Sequence, residues 1–167
     1  MLMHAVPTPL TQFLWNVFIA IALIITLYTC NFYYLVFLSR QQKKSRSVEL
    51  KDTPTVTIQL PIYNEKYVAA RLVNAVCALD YPKDKMCIQV LDDSDDDTSD
   101  ILGNLVNEYK KNGFDISHVR RGDRKGYKAG ALRYAMKSVK SDFVAIFDAD
   151  FIPPSWFLKK ALSHFCT

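Results

Sequence analysis

Asp148 and Asp150 stand two positions apart in Phe147-Asp148-Ala149-Asp150, directly after an apolar run. In extended backbone, residues at i and i+2 point to the same side. Two carboxylates so placed can share one divalent cation, and Mg²⁺ or Mn²⁺ accepts such ligands together with a substrate's phosphates. The run Asp142-Phe143-Val144-Ala145-Ile146-Phe147 reads as a strand short enough to be the buried centre of a parallel sheet. Carboxylates buried at its end would have to be neutralised or paired. A second acidic cluster, Asp92-Asp93-Ser94-Asp95-Asp96-Asp97, follows the apolar run Cys87-Ile88-Gln89-Val90-Leu91. Two strands ending in acid point to a metal and phosphate crevice at one edge of an α/β sheet.

The second cluster cannot do a single job. Asp92 and Asp93 face opposite ways if the strand persists, so one meets the crevice while the other caps a turn; the sequence leaves open which. The residue on the crevice would accept hydrogen bonds from a nucleobase or ribose. Asp95, Asp96, Asp97 and Asp100 read as a solvated loop and helix start, favoured by the helix dipole. The basic stretch Arg120-Arg121-Gly122-Asp123-Arg124-Lys125-Gly126-Tyr127-Lys128-Ala129-Gly130 leads into a helix. Backbone donors and a nearby Lys can hold a diphosphate there, with Lys128 as the candidate and Ala129 and Gly130 allowing close approach. It has neither Walker spacing nor a Gly-x-Gly-x-x-Gly pattern. The stretch is too short, and too poor in aromatic platforms, for a nucleic-acid surface.

The elements that must position these residues follow from periodicity. Pro54 opens a first strand over 55–60, which Pro61 ends, and Asn64-Glu65 starts a helix carrying Val68, Leu72, Val73, Val76 and Leu79. Residues 86–91 form a second strand; Thr98 or Ser99 caps a helix closed by Asn112-Gly113. A short third strand covers 116–119. The next helix lies between Gly126 and Lys137, with Ala129, Leu132, Ala135 and Met136 inward. The fourth strand is 142–147, and Pro153-Pro154-Ser155-Trp156 begins a last helix. Strands alternating with helices at this spacing indicate βαβ units on a parallel sheet, which binds ligands beyond the carboxyl ends of its strands. Tyr63-Asn64-Glu65, Asp92-Asp93 and Asp148-Ala149-Asp150 all fall at such ends.

The first third of the chain is of another kind. From Thr8 to Ser39 there is no Asp, Glu, Lys, Arg or His, and residues 13–38 supply the roughly 20 apolar residues that cross a ~30 Å hydrocarbon core. A signal peptide would be shorter and preceded by positive charge, and a core helix of this length is out of scale with so small a domain. Arg40, Lys43, Lys44 and Arg46 crowd the C-terminal flank, which puts residues 40 onward in the cytoplasm and 1–12 across the membrane. Much of the formal net charge of +4 belongs to this juxtamembrane linker, 39–53, and suits anionic headgroups. Cys30, Cys77, Cys87 and Cys166 have no metal-ligand spacing and read as reduced packing residues.

Four ordered motifs carry a resemblance: Gln59-Leu60-Pro61-Ile62-Tyr63-Asn64-Glu65, Gln89-Val90-Leu91-Asp92-Asp93-Ser94, Arg124-Lys125-Gly126-Tyr127-Lys128-Ala129-Gly130-Ala131-Leu132 and Phe147-Asp148-Ala149-Asp150. Ala78-Leu79-Asp80-Tyr81-Pro82 also fits. Together they resemble the donor-binding half of a membrane-embedded family 2 glycosyltransferase, of the cellulose-synthase-like group that makes β-mannan, glucomannan or the glucan backbone of xyloglucan. The resemblance covers about residues 54–160 and implies an α/β fold: a GT-A type, Rossmann-like, mostly parallel sheet, incomplete within 54–167 and preceded by one transmembrane helix. It implies that the Asp at the 92/93 position contacts the nucleoside, with Tyr63 and Glu65 along the same pocket and Lys128 near the diphosphate. Asp148 and Asp150 would coordinate Mg²⁺ or Mn²⁺. The implied activity is inverting transfer of a hexose from GDP-mannose or UDP-glucose to a growing β-glycan, at the plasma membrane or, in a plant, the Golgi membrane. The family's general base, in a Thr/Ser-Glu-Asp setting, and its Gln-x-x-Arg-Trp motif are expected beyond Thr167, so these 167 residues are expected to bind donor without polymerising sugar. The alternatives are a polyprenyl-phosphate type lipid-sugar transferase and a non-catalytic nucleotide-sugar-binding membrane protein.

Overall fold

The computed structural model describes residues 8–41 and 53–165, which fall into two separate units. The first is a single helix, α1 (Pro9–Gln41), 33 residues long. It exceeds the expected span at both ends, and at ~1.5 Å per residue it is about 50 Å long. It is long and apolar enough to cross a membrane, with a mean hydropathy of 2.1 over its most apolar window. Thr26 and Thr29 donate their hydroxyls back to the carbonyls of Ala22 and Ile25, each at 2.8 Å. These polar groups are thus satisfied within the helix. Lys43, Lys44 and Arg46, the expected linker up to residue 52, residues 1–7 of the expected N-terminal segment and Cys166 lie outside the described residues.

The second unit is a four-stranded parallel sheet with helices in the connections. Its elements are β1 (Val56–Ile62), α2 (Ala69–Cys77), β2 (Met86–Asp92), α3 (Thr98–Lys111), β3 (Asp115–Val119), α4 (Tyr127–Met136), β4 (Phe143–Ile146) and α5 (Phe157–Leu162), with a 3₁₀ turn at Lys83–Lys85. The strand order is β3-β2-β1-β4, every pair parallel. The chain therefore steps outward from β1 to β3 and then returns to the far side of β1. Such a reversal opens a crevice at the carboxyl ends of the strands flanking it.

Alternation along the strands divides the sheet into two unlike faces. Val56, Ile58, Leu60 and Ile62 of β1 and Met86, Ile88 and Val90 of β2 join Leu72, Val73 and Val76 of α2 and Leu102 and Val106 of α3 in the main core. The opposite face is narrower and partly polar. There Leu91 packs on Ala131 and Ala135 of α4, while the buried Gln59 donates its amide to Gln89 at 2.9 Å and Gln89 donates to Ser138 at 3.0 Å. Small side chains at i and i+4 let α4 lie close to the sheet.

Several boundaries differ from the sequence expectation. Pro61 does not end β1 but pairs with Leu91 inside it. The Phe147 N–H donates to Gln59 O, so alternate β1 residues address β4. Pro61, two residues on, presents its missing donor where β4 has already ended, and no ladder bond is lost. α2 starts at Ala69 rather than Asn64-Glu65, because Asn64 has φ 53° and the chain turns through 65–68 first. The α3 start is held by Asp96, whose carboxylate accepts the Thr98 N–H at 2.9 Å, and not by a Thr98 or Ser99 cap. On α4 the buried stripe is Ala131 and Ala135; Ala129 and Met136 are exposed. β4 is not the buried centre of the sheet. Among the described residues it pairs with β1 alone, and Ile146 is 48% exposed.

Cys77 and Cys87 behave as packing residues. Burial pushes the Cys77 thiol up to about 12, and burial together with the neighbouring Asp115 pushes that of Cys87 up to about 11. Thiols so disfavoured as thiolates are poor nucleophiles and poor metal ligands.

Candidate functional site

A cavity of about 420 Å³ opens at the carboxyl ends of β1, β2 and β4, at the reversal in strand order. Its size suits a small-molecule ligand. Tyr63 and Glu65 follow β1, Asp93 follows β2, Lys128 rises from the first turn of α4, and Asp148 and Asp150 follow β4; all six line it. The structure thus gathers residues that are up to 87 positions apart in sequence.

The floor is fastened by its own loops. The Asp93 N–H donates to Ile62 O at 3.1 Å, and the Asn64 N–H donates to Ser94 Oγ at 3.0 Å. Asn64 and Asp95 then exchange two hydrogen bonds, Nδ2 to Oδ1 at 2.7 Å and N–H to Oδ1 at 3.1 Å. Asn64 takes its left-handed φ to meet them, which Asn does more readily than most residues. Asp95 is therefore part of this zipper rather than a merely solvated acid.

Asp92 and Asp93 part company. Asp92 is 1% exposed; its Oδ1 accepts the Ser94 N–H at 2.9 Å and its Oδ2 lies 2.8 Å from His118 Nε2. Burial works against its ionisation, yet the hydrogen bonds from His118, Ser99 and Ser94 hold the carboxyl well below the usual carboxylate range. Arg120 adds a longer contact, Nε to Oδ2 at 3.6 Å, and donates to Ser94 O at 2.7 Å. Asp92 is the turn-capping member of the pair, and Asp93 is the member on the cavity. Asp93 accepts Arg121 side-on, Nε to Oδ1 at 2.7 Å and Nη2 to Oδ2 at 2.5 Å. That pairing raises the Arg121 guanidinium above its ordinary value.

Asp148 and Asp150 do not lie in extended backbone as the spacing suggested. The strand ends at Ile146, and the Phe151 N–H closes a turn on Asp148 O at 3.0 Å. Nor are the acids buried: both are exposed, and Asp148 is ion-paired with Lys128. Both still open on the one cavity with hard oxygen donors, the ligand type Mg²⁺ and Mn²⁺ take. Among the described residues, no group of three or more His, Cys, Asp or Glu is close enough to form a complete protein cage. A two-carboxylate site completed by substrate oxygens fits this donor set.

Three cavity or near-cavity residues were not singled out from sequence. Arg124 stacks over the Tyr63 ring, its Cζ 3.2 Å from the centroid, and lies 5.2 Å from the centroid of Tyr127. Both partners line the cavity with it. Arg121 is the third. Its signal lies in register: β2 and β3 pair Leu91 with Val119, so continuing by one and two residues sets Asp92 beside Arg120 and Asp93 beside Arg121. Without the register, two acids and two arginines in separate loops carry no sign that they meet.

Residues 57–167 match the Glycosyl transferase family 2. The chain is 45% identical over 113 residues to the probable glucomannan 4-beta-mannosyltransferase 4 of Oryza sativa subsp. japonica, covering 65% of this chain and 21% of that protein. It is 47% identical over 115 residues to the probable glucomannan 4-beta-mannosyltransferase 2 of the same plant, covering 66% and 20%. The chain thus spans about a fifth of the length of these relatives. Among solved structures it is similar to the mannosyltransferase PcManGT from Pyrobaculum calidifontis in complex with GDP-Man and Mn²⁺, with a TM-score of 0.74 and 25% identity over 89% of this chain and 44% of that one. The S. aureus TarS 1-349 structure in complex with UDP-GlcNAc shares the fold, with a TM-score of 0.57 and 24% identity over 65% and 30%. A parallel sheet reversing at β1, acids at three strand ends and a family match over two thirds of the residues agree, and the chain belongs to glycosyl transferase family 2, with cellulose-synthase-like mannosyltransferases among its relatives.

Proposed function

We propose that this chain binds a nucleotide sugar in the cavity at the ends of β1, β2 and β4, and that it supplies the donor half of an inverting transfer of a hexose to a growing β-glycan. One observation carries the reading: Tyr63, Glu65, Asp93, Lys128, Asp148 and Asp150, from three strand ends and the first turn of α4, line a single cavity of nucleotide-sugar size. GDP-mannose is favoured over UDP-glucose as donor, because the plant relatives are named mannosyltransferases and the PcManGT structure holds GDP-Man.

Tyr63, Glu65 and Asp93 would line the nucleoside part of the cavity, and Lys128, ion-paired with Asp148, would serve the diphosphate beside the β4 acids. Its ammonium would lie against the diphosphate and offset the negative charge that gathers there as the glycosyl bond breaks. Asp148 and Asp150 would hold Mg²⁺ or Mn²⁺. When bound, such an ion supplies Lewis-acid stabilisation of the diphosphate leaving group. α1 would anchor the chain in a bilayer with the nucleotide-binding unit on the cytoplasmic side, in a Golgi or plasma membrane.

Calorimetric titration of the chain in detergent with GDP-mannose and with UDP-glucose, each with and without MnCl₂, tests this reading. Saturable, Mn²⁺-dependent binding of either donor is expected, tighter for GDP-mannose. Binding of neither would overturn it.

A further inference from the structure

Arg121 makes four hydrogen bonds from one nearly buried guanidinium. Nε and Nη2 grip Asp93, Nη1 donates to Lys125 O at 2.8 Å, and Nη2 donates to Tyr127 O at 2.8 Å. The side chains of Arg121 and Asp93 are only 8% and 7% exposed. Arg121 therefore ties the end of β2 to the loop that enters α4, at the two carbonyls flanking Gly126.

That loop would not hold its shape unaided. Gly126 has φ 77°, and Tyr127 has φ 48°, a left-handed conformation that a bulky residue adopts only when its surroundings enforce it. The Gly130 N–H closes the first turn of α4 on Gly126 O at 2.8 Å. A Cβ at Gly130 would run into the Lys125 carbonyl oxygen and lie 2.5 Å from Arg121 Nη1. Arg121, the two left-handed residues and Gly130 thus form one close-fitting unit. The next residue after its left-handed pair is Lys128.

We propose that Arg121 and Asp93 form a positioning pair that sets the 124–128 loop and so places Lys128 against the donor diphosphate, and that Asp93 acts on the donor through Arg121 rather than by touching the nucleoside. The inference rests on the nucleotide-binding reading above. It departs from the expected role of Asp93, because each carboxylate oxygen already accepts from the Arg121 guanidinium and the side chain is only 7% exposed. A planar fork is needed for two bonds to Asp93 and two to diverging carbonyls, and a lysine has no such fork.

The test compares the unaltered chain in detergent with Asp93→Asn, Arg121→Lys and Gly130→Ala. Each is titrated with GDP and with GMP in MnCl₂, and amide hydrogen exchange is followed in parallel. Losing charged hydrogen bonds that order the loop should weaken GDP about tenfold or more while GMP stays within about twofold. The double variant Asp93→Asn/Arg121→Lys should be no weaker for GDP than the worse single variant, since both changes break one unit. Amides of 124–128 should exchange faster in every variant while β1 and β2 keep their protection. Gly130→Ala keeps both charges, so it reports on placement even where a charge variant fails to fold.

An equal loss of GMP and GDP affinity in Asp93→Asn would make Asp93 a nucleoside contact and overturn the proposal. Unchanged exchange at 124–128, or additive losses in the double variant, would do the same. If the unaltered chain binds neither GDP nor GMP, the nucleotide-binding reading fails with the donor part of this one, while the exchange data still judge the loop on their own.

Discussion

His118 Nε2 lies 2.8 Å from Asp92 Oδ2, joining β3 to the end of β2 through a carboxylate that is 1% exposed. Arg120 faces the same oxygen at 3.6 Å, and Ser94 and Ser99 complete the surroundings. The folded state holds Asp92 ionised below the ordinary carboxylate range. Its contribution is therefore fully present above the unfolded value and is lost as pH falls through the lower folded one. We expect the stability of the α/β unit to drop as pH is lowered from about 4, the unfolded Asp value. Asp92→Asn should be less stable near neutrality by about 2 kcal/mol and flatter through the acid range. Chemical denaturation at a series of pH values measures both; an Asp92→Asn curve parallel to the unaltered one would refute the linkage.

Asp148→Asn and Asp150→Asn should each weaken GDP binding in MnCl₂ by about tenfold or more, with little change in EDTA. Removing Asp148 also frees Lys128 from its ion pair, so this variant should bind GDP in EDTA no worse than the unaltered chain. Titrations in the two buffers check this. An undiminished Mn²⁺ effect in both variants would show that these carboxylates do not hold the ion.

The buried amides on the α4 face form a chain, Gln59 to Gln89 to Ser138. Gln89→Leu should destabilise the unit by about 1–3 kcal/mol, because the Gln59 amide is left without its acceptor. Gln59→Leu/Gln89→Leu should recover a large part of that loss. Urea melts of the unaltered chain, Gln89→Leu and the double variant decide it, and a double variant less stable than Gln89→Leu would contradict the account.

The strand ends were legible in the sequence because apolar runs stop at Tyr63, Asp92 and Asp148, and a parallel sheet collects such ends. The α1 helix was legible from the absence of charge over 8–39. What was not legible depended on strand order and register. Nothing local shows that Pro61 sits where β4 has already ended, that β4 is an edge, or that Arg121 lies opposite Asp93. Nor does the spacing of α4 show that it is entered through the left-handed Gly126 and Tyr127 or that its buried stripe is Ala131 and Ala135.

Topology of α1 is open to a direct measurement. A glycosylation acceptor introduced before residue 8 should be modified in microsomes, and one introduced after residue 53 should not. Exchanging Lys43, Lys44 and Arg46 for Gln should mix the two orientations. Modification only at the second site would reverse the assignment.

Thr55 and Asp142 clasp the outer ends of β1 and β4 through three hydrogen bonds, of 2.7, 2.9 and 3.0 Å, across 87 positions of chain. β1 is made first yet must wait for β4 to finish its ladder, and closing so long a loop is slow compared with pairing β1 to β2. The cavity spans the same gap, since Tyr63 belongs to the first strand's end and Asp148 to the last. The cavity is therefore complete only once β4 has joined the sheet: a nascent chain halted before residue 143 can build β1, β2 and β3 but lacks the Asp148 and Asp150 side of its wall.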